Sequence, residues 1–329
     1  MRSLRSAIVA ALLLGLAQPA VAAKSAAAGK FAAAGKNEQF ASHELILQWI
    51  DGYRSDPEPE RVPDAVQAMS KLGLFKDMDT AGVFIGFVAG VLGDNQLKAE
   101  SLVARMFPMP PEDQAVIIKA IAYSGLPDWK ELLGKFVERM PARKVLIDQY
   151  LQGKAKVLKD LPLDSGPAPI DTLWGFYFAT ESFEPVQGII SALPWSEDKS
   201  DVNRLTIGSM AKWTLASNAA RDKPLLDLCR AELKHQPKKV AGPLKDVVEA
   251  AEAYETGRIR KEAVAAIEEL KRRGPSKSTA WAWAAQAGST AIAVGCVVAS
   301  ATGHVELGLP CIVTGALSSA ATKLLGGTP

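Results

Sequence analysis

The chain is 329 residues long and 48% hydrophobic, enough to build a real core in one large domain or two ordinary ones. Its 38 Lys and Arg side chains face 36 Asp and Glu, and the surplus corresponds to Arg2 and Arg5 at the extreme N-terminus. A chain so balanced carries no electrostatic footprint for nucleic acid.

Arg2 and Arg5 flank the apolar run "AIVAALLLGLA" (Ala7 to Ala17), and "PAVAA" then places small residues at cleavage positions. A positive flank, a short apolar run and a small-residue cut site mark a secretory signal peptide, so residues 1–23 are predicted to be removed after Ala22 or Ala23. The run is too short to serve comfortably as a spanning anchor, and no cysteine lies near the cut for lipid attachment. The mature chain is expected in an exported, periplasmic location. "KSAAAGKFAAAGKNE" follows, with AAAGK twice at a six-residue interval and few bulky side chains. Residues 24–38 therefore read as a flexible Ala/Gly/Lys leader.

From 39 to 241 apolar residues recur at three- and four-residue steps, and prolines and glycines punctuate the runs. "HELILQWIDGY" predicts one short helix and "VPDAVQAMSKLGLF" the next, with Pro63 at the start and Gly73 near the end. No series of period-two alternations bounded by turns is present, so the predicted class is all-α.

The body also echoes itself. "FIGFVAG" (Phe84 to Gly90) matches "LWGFYFA" (Leu173 to Ala179), sharing a Gly-Phe pair. Each is followed by an amphipathic segment ending in an apolar residue and proline, "LVARMFP" and "IISALP", and then by the acidic turns "MPPED" and "WSED". The acids of those turns suit a helix N-terminus. "KAIAY" (Lys119 to Tyr123) aligns with "GSMAK" (Gly208 to Lys212) at the same offset of 89 that relates Phe84 to Leu173. "ELLGKFVERMP" then parallels "PLLDLCRAELKHQP". The pattern fits two four-helix repeats, 80–141 and 170–237, stacked as helical hairpins into a curved, solenoid-like body; chance echo among proline-punctuated helices is the alternative. Consensus residues of the tetratricopeptide, HEAT and ankyrin repeats are missing. "KDLPLDSGPAPIDT" (Lys159 to Thr172) reads as the linker between repeats.

After Pro243, stripes through Leu244, Val247, Ala251 and Tyr254, and through Ile259, Ala263, Ala266 and Leu270, predict a long amphipathic helix over 242–273, bent near Gly257. Acidic side chains outnumber basic ones from Gln39 to Pro141, and basic ones dominate from Arg258 to Lys277. Ser278 to Gly303 then runs 26 positions without a charge, and Leu307 to Thr322 another 16. A spanning hairpin or single span would leave the basic flank on the exported side, against the preference of positive flanks for the cytoplasm. The abundance of Ala, Gly, Ser and Thr favours a close-packed helical hairpin over 279–326, turning at Thr302 to Gly308, either against the body or in contact with membrane. Cys296 and Cys311 lie equally far on either side of a midpoint between Gly303 and His304 and could bond in an oxidising compartment, closing a loop worth about 3 kcal/mol; two buried, unbonded cysteines are the alternative. Cys229, at core spacing with Leu225 and Leu226, reads as buried and unpaired.

Candidate chemistry is sparse. His43, His235 and His304 stand apart from other ligand types, which signals neither a metal site nor a Ser-His triad. Ser196–Lys199 and Ser209–Lys212 fit the S-x-x-K spacing of penicillin-recognising enzymes, but the companion K-T-G and S-D-N elements are absent. "ATESFEP" (Ala179 to Pro185) sets Glu181 between Phe178 and Phe183. The stretch resembles the catalytic segment of lytic transglycosylases, helical envelope enzymes that cleave peptidoglycan, and the resemblance implies Glu181 as the general acid. It covers fewer than 20 residues; the family's Ser-Gly-Ala spacer and a later Tyr-Asn-Ala-Gly stretch are missing, so a solvent-facing acid at a helix end is the competing reading.

The sequence thus points first to an exported, non-enzymatic helical interaction or scaffold protein of the cell envelope, partnered by another envelope protein and using no cofactor or metal. The alternatives are a lytic-transglycosylase-like enzyme acting through Glu181 and a membrane-anchored envelope protein held by residues 279–322.

Overall fold

The structure, a computed structural model, describes residues 38–180 and 182–252, together with positions 265, 268, 269 and 272. The signal and leader segments, most of the chain beyond 252, the 279–326 hairpin, His304, Glu181, Cys296 and Cys311 lie outside the described residues.

Among the described residues the protein is all-α, with twelve α-helices and no strand. They are α1 (His43–Gly52), α2 (Val62–Lys71), α3 (Gly82–Asp94), α4 (Ala99–Arg105), α5 (Gln114–Tyr123), α6 (Trp129–Lys135), α7 (Lys144–Leu151), α8 (Ala168–Ala179), α9 (Glu184–Ser191), α10 (Val202–Ala219), α11 (Lys223–Glu232) and α12 (Lys238–Glu252). The short helices predicted around "HELILQWIDGY" and Pro63 are α1 and α2. Ser42 caps α1, its hydroxyl accepting from Leu45 N–H at 3.3 Å. Pro63 lies in the first turn of α2, and Gly73, at φ +73°, follows its end.

Helix α3 is apolar on every face, and every residue from Gly82 to Leu92 is buried, as expected for a helix with no polar side to offer water. Its principal neighbour is α8. The approach is close because glycines replace side chains at the crossing. A Cβ on Gly86 would lie 1.9 Å from the Thr172 carbonyl oxygen and 2.9 Å from the Phe176 amide nitrogen. A Cβ on Gly175 would lie 2.0 Å from the Val83 oxygen and 2.8 Å from the Phe87 nitrogen. Each glycine therefore meets the carbonyl three residues before the other glycine and the amide one residue after it. The two runs that match at an offset of 89 in sequence pack on each other with reciprocal contacts. Neighbours repeat in kind: α6 and α7 pack on α5, as α11 and α12 pack on α10.

Three boundaries differ from expectation. Helix α8 begins at Ala168, inside the segment read as a linker to Thr172, with Pro169 in its first turn, where a missing N–H costs no intrahelical bond. Helix α12 begins at Lys238 rather than 242, taking Pro243 into its interior and burying it. The proline lacks the N–H that would reach the Lys239 carbonyl, and Lys239 is exposed, where water can serve that carbonyl. The acids of "WSED" do not cap α10: Trp195 to Glu197 belong to a 3₁₀ turn, and Asp201 is the cap, its Oδ1 accepting from Asn203 N (2.8 Å) and Arg204 N (3.2 Å).

Candidate functional site

The segment flanking Glu181 is built from local hydrogen bonds. Thr180 ends α8 by donating its hydroxyl to the Phe176 carbonyl (3.0 Å) and accepting from Ser182 N–H (3.2 Å). Ser182 in turn accepts from Glu184 N–H at 3.4 Å, and α9 starts there with Pro185 in its first turn. Phe178 is buried, whereas Phe183 is 36% exposed. Of the two aromatic flanks noted in the sequence, one belongs to the core and the other reaches the surface.

One helical turn before this segment, Tyr177 enters a polar junction. Its ring lies 6.2 Å from that of Phe183, and the Arg54 guanidinium stacks over it at 4.3 Å. The Tyr177 hydroxyl donates to Asp222 Oδ2 at 2.7 Å, and Arg54 Nη2 donates to the same oxygen. The other oxygen, Oδ1, accepts from Leu225 N–H at 3.2 Å and so caps α11. Residues from the turn after α1, from α8 and from the α10–α11 turn thus converge on one carboxylate.

The electrostatics follow from that convergence. Burial pushes the Asp222 carboxyl up, but hydrogen bonds from Tyr177 and Arg54 outweigh it and hold the group below its ordinary range. Burial opposes the charge on Arg54, yet the bond to Asp222 and the neighbouring charges raise its pKa overall. The Tyr177 hydroxyl is raised, first by burial and then by its bond to Asp222, so it acts as a donor. This arrangement fixes an arginine, a tyrosine and an aspartate rigidly. It can orient a ligand; with the carboxylate ionised and the phenol protonated, neither is a poised general base.

The remaining candidates are dispersed. Ser196 donates to the Leu193 carbonyl at 2.7 Å; Ser209 is buried; Lys212 pairs with Asp246 at 2.6 Å, joining α10 to α12. Neither S-x-x-K pair forms a nucleophile and base. His43 is half-buried at the start of α1, 5.8 Å from the Phe84 ring, and burial lowers its pKa while Glu44 acts the other way. His235 is exposed on the other side of α11 in sequence, and no group of His, Cys, Asp and Glu suited to a metal occurs among the described residues. Cys229 is buried with a free thiol that burial pushes up to about 12, an inert core residue.

Sequence reasoning missed Arg54, Asp222, Asn218 and Asp171. Arg54 and Asp222 stand 168 positions apart, beyond any motif spacing. Asp222 did carry a signal: an acid directly before "KPLL" is a cap followed by proline near a helix start. Asp171 lies in the first turn of α8 and is 6% exposed, with Oδ1 sealed from water and without a hydrogen-bond partner; burial pushes its carboxyl up to about 8.

Comparison of the chain with protein-family models, with curated proteins and with solved structures yields no match.

Proposed function

We propose that the chain is an exported, non-enzymatic interaction or scaffold protein of the cell envelope that holds another envelope protein on its helical body. The observation that supports this reading is the use made of the polar side chains. Asp222, Tyr177, Arg54, Lys212 and Asp246 tie helices together, and Trp174 Nε1 donates to Thr214 Oγ1 at 2.9 Å between α8 and α10. Such ties give the body a fixed surface, which recognition requires and which lowers the entropic cost of docking. The pattern of residues 1–23 supports export to the periplasm.

A photo-crosslinker at Val145, 75% exposed on α7, tests the reading in living cells. One discrete adduct with an envelope protein, competed away by unlabelled body, is expected there or at a companion position, Leu97. Labelling that is diffuse at both positions contradicts it.

A second reading rests on Phe183, a partly exposed aromatic beside the Glu181 segment that could face a sugar ring. In it the chain is a lytic-transglycosylase-like enzyme with Glu181 as general acid. Release of soluble peptidoglycan by the purified chain, abolished in Glu181→Gln, selects this reading over the scaffold. A third form of the proposal anchors the chain in the membrane through residues 279–322, and carbonate extraction decides it by retention in the pellet. No helix among the described residues is long and apolar enough to cross a membrane.

A further inference from the structure

The cations of α11 and α12 fall into two groups. Those along the helices are paired: Lys223 with Asp227 (2.6 Å), Arg230 with Asp227 and Glu252 (2.8 Å each), and Lys245 with Glu249 (3.4 Å). At the turn that joins the two helices the pairing stops. Lys234, His235, Lys238 and Lys239 are all exposed, and among the described residues none of the three lysine side chains has a hydrogen bond or an ion pair. The sequence holds no acid from Leu233 to Lys245. Glu232, just before the turn, is taken by amides: Oε1 accepts from Gln187 Nε2 at 3.4 Å and Oε2 from Gln236 Nε2 at 2.6 Å.

This placement works against the fold. Lys238 and Lys239 occupy the first turn of α12, where the helix dipole favours an acid and none stands. Lys234 adds a third like charge a few positions away. A cluster that the helix end disfavours and that no internal partner offsets is directed at an anionic partner outside the body.

The make-up of the turn selects among anions. Its fixed charges are all lysine, a compact ammonium on a flexible stem, rather than the planar arginine fork that grips one carboxylate bidentately. Lysine is depleted from protein–protein interfaces, which centre on aromatic or apolar anchors. The exposed large apolar side chains of the described residues, Leu72, Leu97, Val145 and Phe183, all lie outside this turn. Mobile point charges without an anchor suit a fluid layer of phosphate headgroups, where each lysine adds a similar increment of attraction.

We infer that the α11–α12 turn is a docking surface for an anionic lipid bilayer, with Lys234, Lys238 and Lys239 as its contacts. This goes beyond the scaffold reading and stands without insertion of residues 279–322.

Acylation of the full chain by a water-soluble amine reagent, read lysine by lysine by mass spectrometry, tests the inference. The protein is mixed with vesicles of phosphatidylcholine alone or of phosphatidylcholine and phosphatidylglycerol in equal parts. Three lysines beside an anionic bilayer raise partitioning roughly 100-fold. Labelling of Lys234, Lys238 and Lys239 should therefore slow at least about fivefold on the anionic vesicles only, and recover in high salt. Lys154, Lys156 and Lys159, also exposed but followed by Asp160, should label at one rate throughout. Retention by residues 279–322 would appear on both kinds of vesicle, so loss of that anchor and loss of this surface read out separately. Soluble polyglutamate at the same charge concentration forms the competing arm, and protection by it but not by the vesicles assigns the turn to an acidic protein. That result, equal labelling on the two vesicles, or slowing that spreads to Lys154, Lys156 and Lys159, overturns the inference.

Discussion

Replacing Asp171 by asparagine should stabilise the protein, and more so as the pH rises. In the folded chain the carboxyl lies in the first turn of α8 beside Gly82, where an added Cβ would sit 3.0 Å from the Asp171 Cβ. Burial raises its pKa from 3.8 to about 8. A folded-state pKa above the unfolded one means that the native state binds the extra proton. The favourable contribution is therefore complete below pH 3.8 and is lost progressively as the pH climbs to 8. At pH 7 the unfolded carboxyl is ionised and the folded one must take up a proton, which costs the native state about 4 kcal/mol relative to strong acid. Asparagine has nearly the same shape and no proton to acquire. It still buries an amide whose N–H groups need partners, so a net gain of about 2–3 kcal/mol at pH 7 is the expectation. For a body of this size that is a Tm increase of roughly 5–10 °C. Chemical denaturation of wild type and Asp171→Asn at intervals from pH 4 to pH 8.5 is the assay. The variant should be slightly less stable than wild type at pH 4 and gain on it steadily as the pH rises. Parallel curves, offset equally at pH 4 and pH 8, would refute the claim that Asp171 is neutral in the folded protein.

Other perturbations probe separate parts of the structure. Gly86→Ala drives a methyl into the Thr172 carbonyl and must separate α3 from α8, a loss of about 3 kcal/mol or more, whereas Gly134→Ala, with nothing within 4 Å, should be neutral or gain up to about 1 kcal/mol; urea unfolding of the two variants compares them directly. Asp222→Ala removes the α11 cap and the partner of Arg54 and Tyr177, and a loss of about 2–4 kcal/mol is expected in the same assay. Because the Asp222 pKa is lowered in the folded state, its contribution is present above pH 3.8 and fades as the pH falls. In the tail, unreduced peptide mapping of the exported protein should recover Cys296 linked to Cys311, with Cys229 alkylated only after unfolding. Free Cys296 and Cys311 would exclude the stapled hairpin.

What the sequence determined by itself is local. Apolar steps of three and four marked the helices, and the apolar runs "FIGFVAG" and "LWGFYFA" stood out as a matching pair. Pro63 and Gly73 act within a few residues of their own position, so their roles were legible without a fold. The Ala168 start of α8 was within reach too, because Pro169 allows a first helical turn as readily as a linker. Tertiary structure decided the rest. Sequence showed the Gly-Phe pair twice but not that Gly86 and Gly175 would face each other, since a missing side chain says nothing about which backbone will fill its place. Asp201, directly before α10, caps it rather than the acids of "WSED", because Glu197 lies in a 3₁₀ turn and Asp198 accepts from the Ser200 and Asp201 amides instead. Arg54 and Asp222 meet only after the intervening chain has packed, and their pairing depends on α8 bringing Tyr177 between them. Burial of Asp171 is of the same kind: its sequence position at a helix N-terminus favours a charge, and only the close approach of α3 removes the water that would sustain it.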